Sequence, residues 1–384
     1  MRSGLARKIF WGSVAGLVHT HAAYPLSLAV LRLLGRRSAS ETIGGPDVAE
    51  PPTVSLIVAA HDEEEVIAAK VADALAQRWP RDRLELIVAS DGSTDRTIDL
   101  AREAGADLVL DLPRGGKIAA QNAAVERASG EILAFSDANS RWEPEALAAL
   151  VAAFDDAAVG YACGRVRFTD PGGGNQEGLY WRYEMAVRSL ESELAGVTAG
   201  NGAIYAVRRA AYLALGPSRS HDLSFPFMLR KRGWRSVEAP AARASEKMVP
   251  SLAGEAARKR RMMAGLADIV VADRMWDPRG YGVLYAYEIA SHRLLRYASP
   301  LLHALAFAAN LRLLGSGRIY RLALAAQLGL LAAAALAGRA PGPLGRLAAI
   351  ARYYVETTAS IALGFRDRRR HGPPGAWSKS EGTR

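Results

Sequence analysis

Residues 131–140 read EILAFSDANS, a run in which Ile132-Leu-Ala-Phe135 ends on Asp137 and then Asn139. A short apolar run closed by polar turn residues is the pattern of a buried strand. An acid two places from an amide is either a solvated turn or half of a metal site, so the neighbouring runs decide. Upstream, Thr53-Val-Ser-Leu-Ile-Val58 is continuous, β-branched and bounded by prolines, as parallel strands buried on both faces are. Val66, Ile67, Val71 and Leu75 follow at helical spacing within 63–78. A second strand is expected at Leu84–Ala89, followed by Ser90-Asp-Gly-Ser-Thr-Asp95, where Ser93 or Thr94 can cap a helix starting near Asp95. A third strand is expected at Asp107–Leu110, a helix at 117–129, and the fourth strand at Ile132–Phe135. Strands alternating with helices at this pitch predict an α/β fold with a parallel sheet. Ligands of such sheets bind beyond the carboxyl ends of the strands. His61-Asp62-Glu63, Ser90-Asp91-Gly92 and Asp137-Ala138-Asn139 all fall at such ends. One acidic loop is background; three on one rim make a site.

The flanks differ from this body. Of 384 residues, 50% are apolar and 23% charged, with a net charge of +10. Such a charge suits nucleic acid, a phosphate-bearing substrate or an anionic membrane face. No nucleic-acid module or interleaved aromatic and basic surface accompanies it, so nucleic acid is not an expected partner. Cys163 is the single cysteine, which excludes an intrachain disulfide. The apolar stretch Ile9–Leu34, closed by Arg36-Arg37, is long for a signal peptide and reads as a retained membrane helix. Segments 299–315 and 320–338 are each near spanning length, and 344–364 carries Arg346, Arg352 and Glu356 and suits the interface as well. The basic tail Arg366–Arg370 places that end in the cytoplasm by the positive-inside rule. The expected organisation is an N-terminal transmembrane helix (1–35), a linker (36–52), a cytoplasmic α/β domain (53–265), interfacial amphipathic helices (266–298), C-terminal transmembrane or interfacial helices (299–365) and a basic cytoplasmic tail (366–384).

Carboxylates at strand ends can hold a base and ribose, or a divalent ion that in turn holds a diphosphate. Lys117, behind Gly115-Gly116, can meet phosphate oxygens near a helix N-terminus. The stretch Leu112–Ile118 lacks the first glycine of a P-loop and the hydroxyl residue after its lysine. Nor does G-x-G-x-x-G follow the first strand, which argues against a dinucleotide site.

Taken in order, VSLIVAAHDEE (54–64), SDGSTD (90–95), GGKIAAQN (115–122), SDAN (136–139), GNGAIYA (200–206), SHDL (220–223) and the basic run Arg258–Met262 resemble the family 2 glycosyltransferases. The likeness runs over roughly residues 9–365 and extends to membrane-bound processive synthases of the cellulose, hyaluronan and poly-N-acetylglucosamine type. It implies a GT-A fold, the Rossmann-like nucleotide-diphospho-sugar transferase domain, with flanking transmembrane helices. Carried over residue by residue, Glu63 and Asp91 would contact the uracil and ribose of a UDP-sugar, and Lys117 would lie near the diphosphate. Asp137 and Asn139 stand where the family's D-x-D binds Mg²⁺ or Mn²⁺. Asp222 stands at the general base position, after His221 where the family often has a second acid. Gly200, Asn201 and Gly202 fall at the acceptor. Arg258 and Arg261 belong to the place of Q-x-x-R-W, with Arg258 for the glutamine and Met262 for the tryptophan, so the indole platform is lost.

The implied reaction is an inverting transfer from a nucleotide sugar to a glycan or lipid-linked acceptor, at a multi-pass cytoplasmic membrane protein that meets membrane lipids and allows export partners. Sugar transfer to a polyprenyl phosphate, and an inactive nucleotide-sugar scaffold, are the alternatives. Plainer readings stand beside each residue. Asp137 can cap a turn, Asp222 can cap the helix expected at 223–232, and Gly200–Gly202 can be a turn. The run 258–261 can hold lipid headgroups instead of a diphosphate.

Overall fold

The computed structural model describes residues 2–35, 50–169, 177–247, 260, 262–263, 265–339 and 341–372. Its centre is a mixed sheet of eight strands in the order β3-β2-β1-β4-β7-β6-β8-β5. The first four are β1 (Val54–Ala60), β2 (Leu84–Asp91), β3 (Leu108–Leu112) and β4 (Ile132–Asp137). They run parallel, with Val54 level with both Leu84 and Ile132. β5 (Arg141–Trp142), β6 (Val159–Thr169), β7 (Ile204–Arg208) and β8 (Arg235–Lys247) complete the sheet, and β7 runs antiparallel to β4.

Every residue of β1 is buried, and alternate side chains enter different cores, as the period of a strand requires. Val54, Leu56, Val58 and Ala60 pack with Ile67 and Val71 of helix α2 (Ile67–Leu75). Ile57 points the other way, to Phe135, Tyr205 and the helix α4 (Lys117–Arg127). Between β2 and β3 lies α3 (Thr97–Glu103). Neither Ser93 nor Thr94 caps it: Arg96 precedes the helix without a side-chain cap bond, and the Thr97 N–H donates to Asp95 Oδ1 at 3.0 Å. Ser93 and Thr94 instead serve Asp62, the Ser93 hydroxyl accepting its N–H at 3.1 Å and the Thr94 N–H donating to its Oδ1 at 2.8 Å. The loops after β1 and β2 are thereby laced together.

Further along come α5 (Ala146–Val151), α6 (Glu177–Leu194) and α7 (His221–Arg230). Outside the sheet domain, α1 (Ser3–Leu33) and α10 (Arg318–Leu336) are long and apolar enough to cross a bilayer by length and composition. Both keep large apolar side chains exposed, among them Trp11, Leu26, Leu322 and Leu331. The segment expected to span at 299–315 is a shorter helix, α9 (Ser299–Leu313), ended by a turn at Leu314–Ser316. At 15 residues it reaches about 22 Å, short of the ~30 Å of hydrocarbon. The helical segment 283–297, α8, docks on the domain, and α11 (Gly342–His371) closes the described chain.

Strand order reverses between β1 and β4, with β2 and β3 on one side and β7 on the other. Such a reversal leaves a crevice beyond the carboxyl ends of the two strands. The register puts Ala59 level with Asp137 and Ala60 level with Ser90, so the expected acidic loops share one rim.

Candidate active site

Lys117 is aimed into this crevice by a turn that Asp91 holds. The Asp91 carboxylate is buried, at 1% exposure. Its Oδ1 accepts the N–H groups of Gly115 and Gly116 at 2.6 and 2.8 Å, and its Oδ2 accepts Arg114 Nη1 at 2.9 Å. Gly116 sits at φ +93, left-handed backbone that favours glycine, and α4 begins with the next residue. Charge-assisted bonds of this kind are the strong ones. Asp91 therefore acts on the site through the turn it clamps. Glu63 is equally buried, and its N–H donates to Thr97 Oγ1 at 2.7 Å.

The Lys117 ammonium donates to Asp137 Oδ1 in a short ion pair, with the Gly202 carbonyl 3.5 Å away. Asp222 and Glu246 lie within its electrostatic reach. Burial pulls the lysine's pKa down, but Asp137, Asp222 and Glu246 together hold the group above its ordinary value. Asp222 stands in the first turn of α7, where its carbonyl accepts the Gly200 N–H at 2.8 Å. Lys117, Asp137, Gly202 and Asp222 thus converge, from α4, β4, the loop before β7 and α7. Asn139 is half-buried on the turn after β4.

Asp137 and Asn139 are the residues that would hold a divalent ion here. Asp137 offers a carboxylate and Asn139 an amide oxygen, both hard ligands, on one turn at a strand end. Among the described residues no group of three or more His, Cys, Asp or Glu side chains could hold a metal by itself. That suits Mg²⁺ or Mn²⁺, which commonly take one or two carboxylates and complete their shell with substrate phosphates. Asp137 already carries one cation, the ammonium of Lys117. Bound there, a divalent ion would supply charge neutralisation at a diphosphate.

The loop expected at the acceptor has a different internal logic. Asn201 is buried and faces the scaffold, its Nδ2 donating to the Gly164 carbonyl at 2.5 Å and its Oδ1 accepting the Ile204 N–H at 3.0 Å. These two bonds make the Asn201 amide a brace of the loop on the scaffold side. Gly200 has no room for a side chain, since a Cβ would lie 1.9 Å from Tyr161 Oη. The Gly200 carbonyl accepts Arg188 Nη2 at 2.8 Å. His221 is buried in an aromatic cage, stacked on Phe225 with centroids 4.2 Å apart, and its Nδ1 is 2.7 Å from Tyr205 Oη. Burial, with Lys117 adding to it, pushes the imidazole down to about 3, so it stays neutral at ordinary pH.

Arg258 and Arg261 lie outside the described residues. Their neighbour Arg260 pairs with Asp367 of α11, donating through Nη2 at 2.8 Å. Sequence reasoning passed over Arg188, Tyr161 and the buried pair Lys70 and Trp142. A signal for Lys70 existed: it shares the buried stripe of Ile67, Val71 and Ala74 on α2, where a lysine needs a reason.

Residues 55–216 match the family model described as Glycosyl transferase family 2. The chain carries a family 2 glycosyltransferase domain. Among curated proteins this domain is similar to Glycosyltransferase AglE of Haloferax volcanii, 30% identical over 134 residues, which are 34% of this chain and 44% of that protein. It is similar also to beta-monoglucosyldiacylglycerol synthase of Nostoc sp., 28% identical over 246 residues, 59% of this chain and 50% of the relative. The chain therefore matches about half the length of these relatives or less. Among solved structures, the mannosyltransferase PcManGT from Pyrobaculum calidifontis, in complex with GDP-Man and Mn²⁺, superposes with a TM-score of 0.69 at 23% identity. That likeness covers 93% of this chain and 99% of the other, and it establishes the GT-A fold of the glycosyltransferase domain.

Proposed function

We propose that the chain is an inverting glycosyltransferase that moves a sugar from a nucleotide diphosphate donor to a saccharide or lipid-linked acceptor at a membrane. The convergence of Lys117, Asp137 and Asp222 at the β1/β4 crevice carries this reading. Inversion needs one backside displacement at the anomeric carbon and no enzyme nucleophile. The acceptor oxygen forms its bond to that carbon as the bond to the diphosphate oxygen breaks, and the acceptor proton passes to the Asp222 carboxylate. A placed base of this kind is worth ~10²–10⁴-fold. His221 is no competitor for that proton, being buried and held neutral with its Nδ1 on Tyr205. Negative charge grows on the departing diphosphate, and the Lys117 ammonium is the chain's own cation for it. With one carboxylate rather than two beside the diphosphate, Asp137 and Asn139 repel that charge less than a two-acid motif would.

Membrane placement is supported by α1 and α10 and by their exposed apolar side chains. A lipid acceptor is supported by the likeness to beta-monoglucosyldiacylglycerol synthase, which extends over 59% of this chain. The test is a screen of radiolabelled UDP- and GDP-sugars on the purified chain in detergent, with diacylglycerol, polyprenyl phosphate and oligosaccharide acceptors, with and without Mn²⁺. Transfer to any of them that requires Asp222 supports the reading. Nucleotide binding with neither transfer nor hydrolysis of any donor would replace it with a sensor or scaffold role.

A further inference from the structure

Lys70 is out of place by every sequence rule. It sits on the buried stripe of α2, its side chain 1% exposed. A lysine ammonium loses its hydration there, and burial pulls its pKa down. Natural sequences keep such a group when its partners need it. Its partners are informative. Nζ donates to the Ser140 carbonyl at 2.8 Å and to Asp73 Oδ2 at 3.2 Å, and it lies 5.2 Å from the centre of the Trp142 ring. The same Asp73 oxygen accepts the Trp142 N–H at 3.0 Å. Ser140 closes the Asp137 turn, its N–H donating to the Asp137 carbonyl at 3.2 Å. Trp142 Nε1 donates to the Ala203 carbonyl at 3.1 Å, one residue past Gly202. The Lys70–Asp73 pair thus binds the far end of the Asp137–Asn139 turn and, through Trp142, ties it to the loop that faces Lys117 and Asp222. Asp137 and Glu246 both face this ammonium.

We propose that Lys70 is a positioning residue that holds the Asp137–Ser140 turn where Asp137 and Asn139 can meet a cation-bound diphosphate. The inference rests on the reading of the crevice as a nucleotide-diphosphate site. Lys70 touches neither donor nor acceptor; it acts through the Ser140 carbonyl and the Trp142 backbone. A purely structural lysine would change stability alone. A positioning lysine changes how strongly a divalent ion and a nucleotide support each other's binding.

The experiment is calorimetric titration of UDP and GDP into the full chain in detergent, with and without Mn²⁺. It compares the wild type with Lys70→Met, with thermal unfolding as the check on folding. Mn²⁺ is expected to tighten nucleotide binding by the wild type. Folded Lys70→Met should lose about tenfold or more of that tightening, as partners that orient metal ligands do when removed, with its Mn²⁺-free affinity unchanged. A folded Lys70→Met variant with wild-type tightening overturns the proposal. If the Met variant does not fold, Lys70→Gln is read by the same criterion. Nucleotide binding that Mn²⁺ leaves unchanged in the wild type also overturns the positioning role, while leaving sugar transfer standing. No nucleotide binding in any condition overturns the reading of the site itself.

Discussion

Gly200→Ala is the perturbation whose cost the structure sets most directly. The added Cβ would lie 1.9 Å from Tyr161 Oη, 2.8 Å from Cζ and 3.1 Å from Cε1, where ordinary contact begins at 3.4 Å. Something must move by about 1.5 Å, far more than a close-packed interior gives freely. Neither side is loose. Tyr161 is wedged between Tyr205 and Phe225, with centroids 5.8 and 6.2 Å away. Gly200 is pinned through both its N–H and its carbonyl, to Asp222 and Arg188. Overpacking of this kind costs about 3 kcal/mol at the upper end of its usual range, and losing the bond to the Asp222 carbonyl adds about 1 kcal/mol. At ~2–4 °C per kcal/mol for a domain of this size, the melting temperature should fall by about 8–16 °C. Transfer should fall as well, because the strained loop is bonded to the Asp222 carbonyl at the start of α7. Tyr161→Phe removes the atom at 1.9 Å and costs little alone, since that buried hydroxyl has no hydrogen-bond partner among the described residues. The double variant should therefore recover more than half of the lost stability. Thermal unfolding of the wild type, both single variants and the double variant in detergent measures this. A Gly200→Ala protein melting within about 2 °C of wild type, or a loss that Tyr161→Phe leaves untouched, refutes the argument.

Other outcomes follow from the same geometry. Asp137→Ala should abolish transfer, whereas Asn139→Ala should keep some turnover and weaken the dependence on Mn²⁺; full activity of Asp137→Ala would remove the site. Lys117→Met should raise the donor KM and lower kcat while leaving acceptor KM near wild type, read from initial rates at varied donor and acceptor. His221 makes stability fall in acid. Its folded value of about 3 lies below the ordinary 6.5, so below pH 6.5 the unfolded chain takes a proton that the folded one refuses. The contribution is complete above pH 6.5 and is lost as pH drops, by about 2 kcal/mol at pH 5. Denaturant titrations at pH 7 and pH 5 should show this extra loss in the wild type and not in His221→Phe. Transfer rates should show no inflection from His221 near neutral pH.

Much of this architecture is legible in the chain because buried parallel strands announce themselves. Val54–Ala60 and Ile132–Phe135 are short, β-branched or aromatic runs buried on both faces, and their length and bounding turns favour strands over helices. Position at a strand end then marks Asp91 and Asp137 without knowledge of any partner. What a side chain does at that end is set by elements distant in sequence. Asp91 also clamps the Arg114–Gly116 turn through both its oxygens, which the sequence does not announce. Asn201 braces its own loop through Gly164 and Ile204, a role its place between two glycines does not announce. Partners such as Gly115, 24 residues from Asp91, and Gly164, 37 residues from Asn201, leave no local pattern. The helix at Ser299–Leu313 shows the same limit, since apolar composition continues past the turn that ends it.

By itself the sequence determined the alternating strands and helices, the acidic rim and the apolar flanks, all of which follow from periodicity and composition. Only the tertiary structure decided that the β1/β4 reversal gathers Lys117, Asp137 and Asp222 into one crevice, and that a buried Lys70 stands behind the turn. The physical reason is that burial is a property of the packed molecule. Lys70 becomes a charge that needs partners only once Ser140, Asp73 and Trp142 close over it.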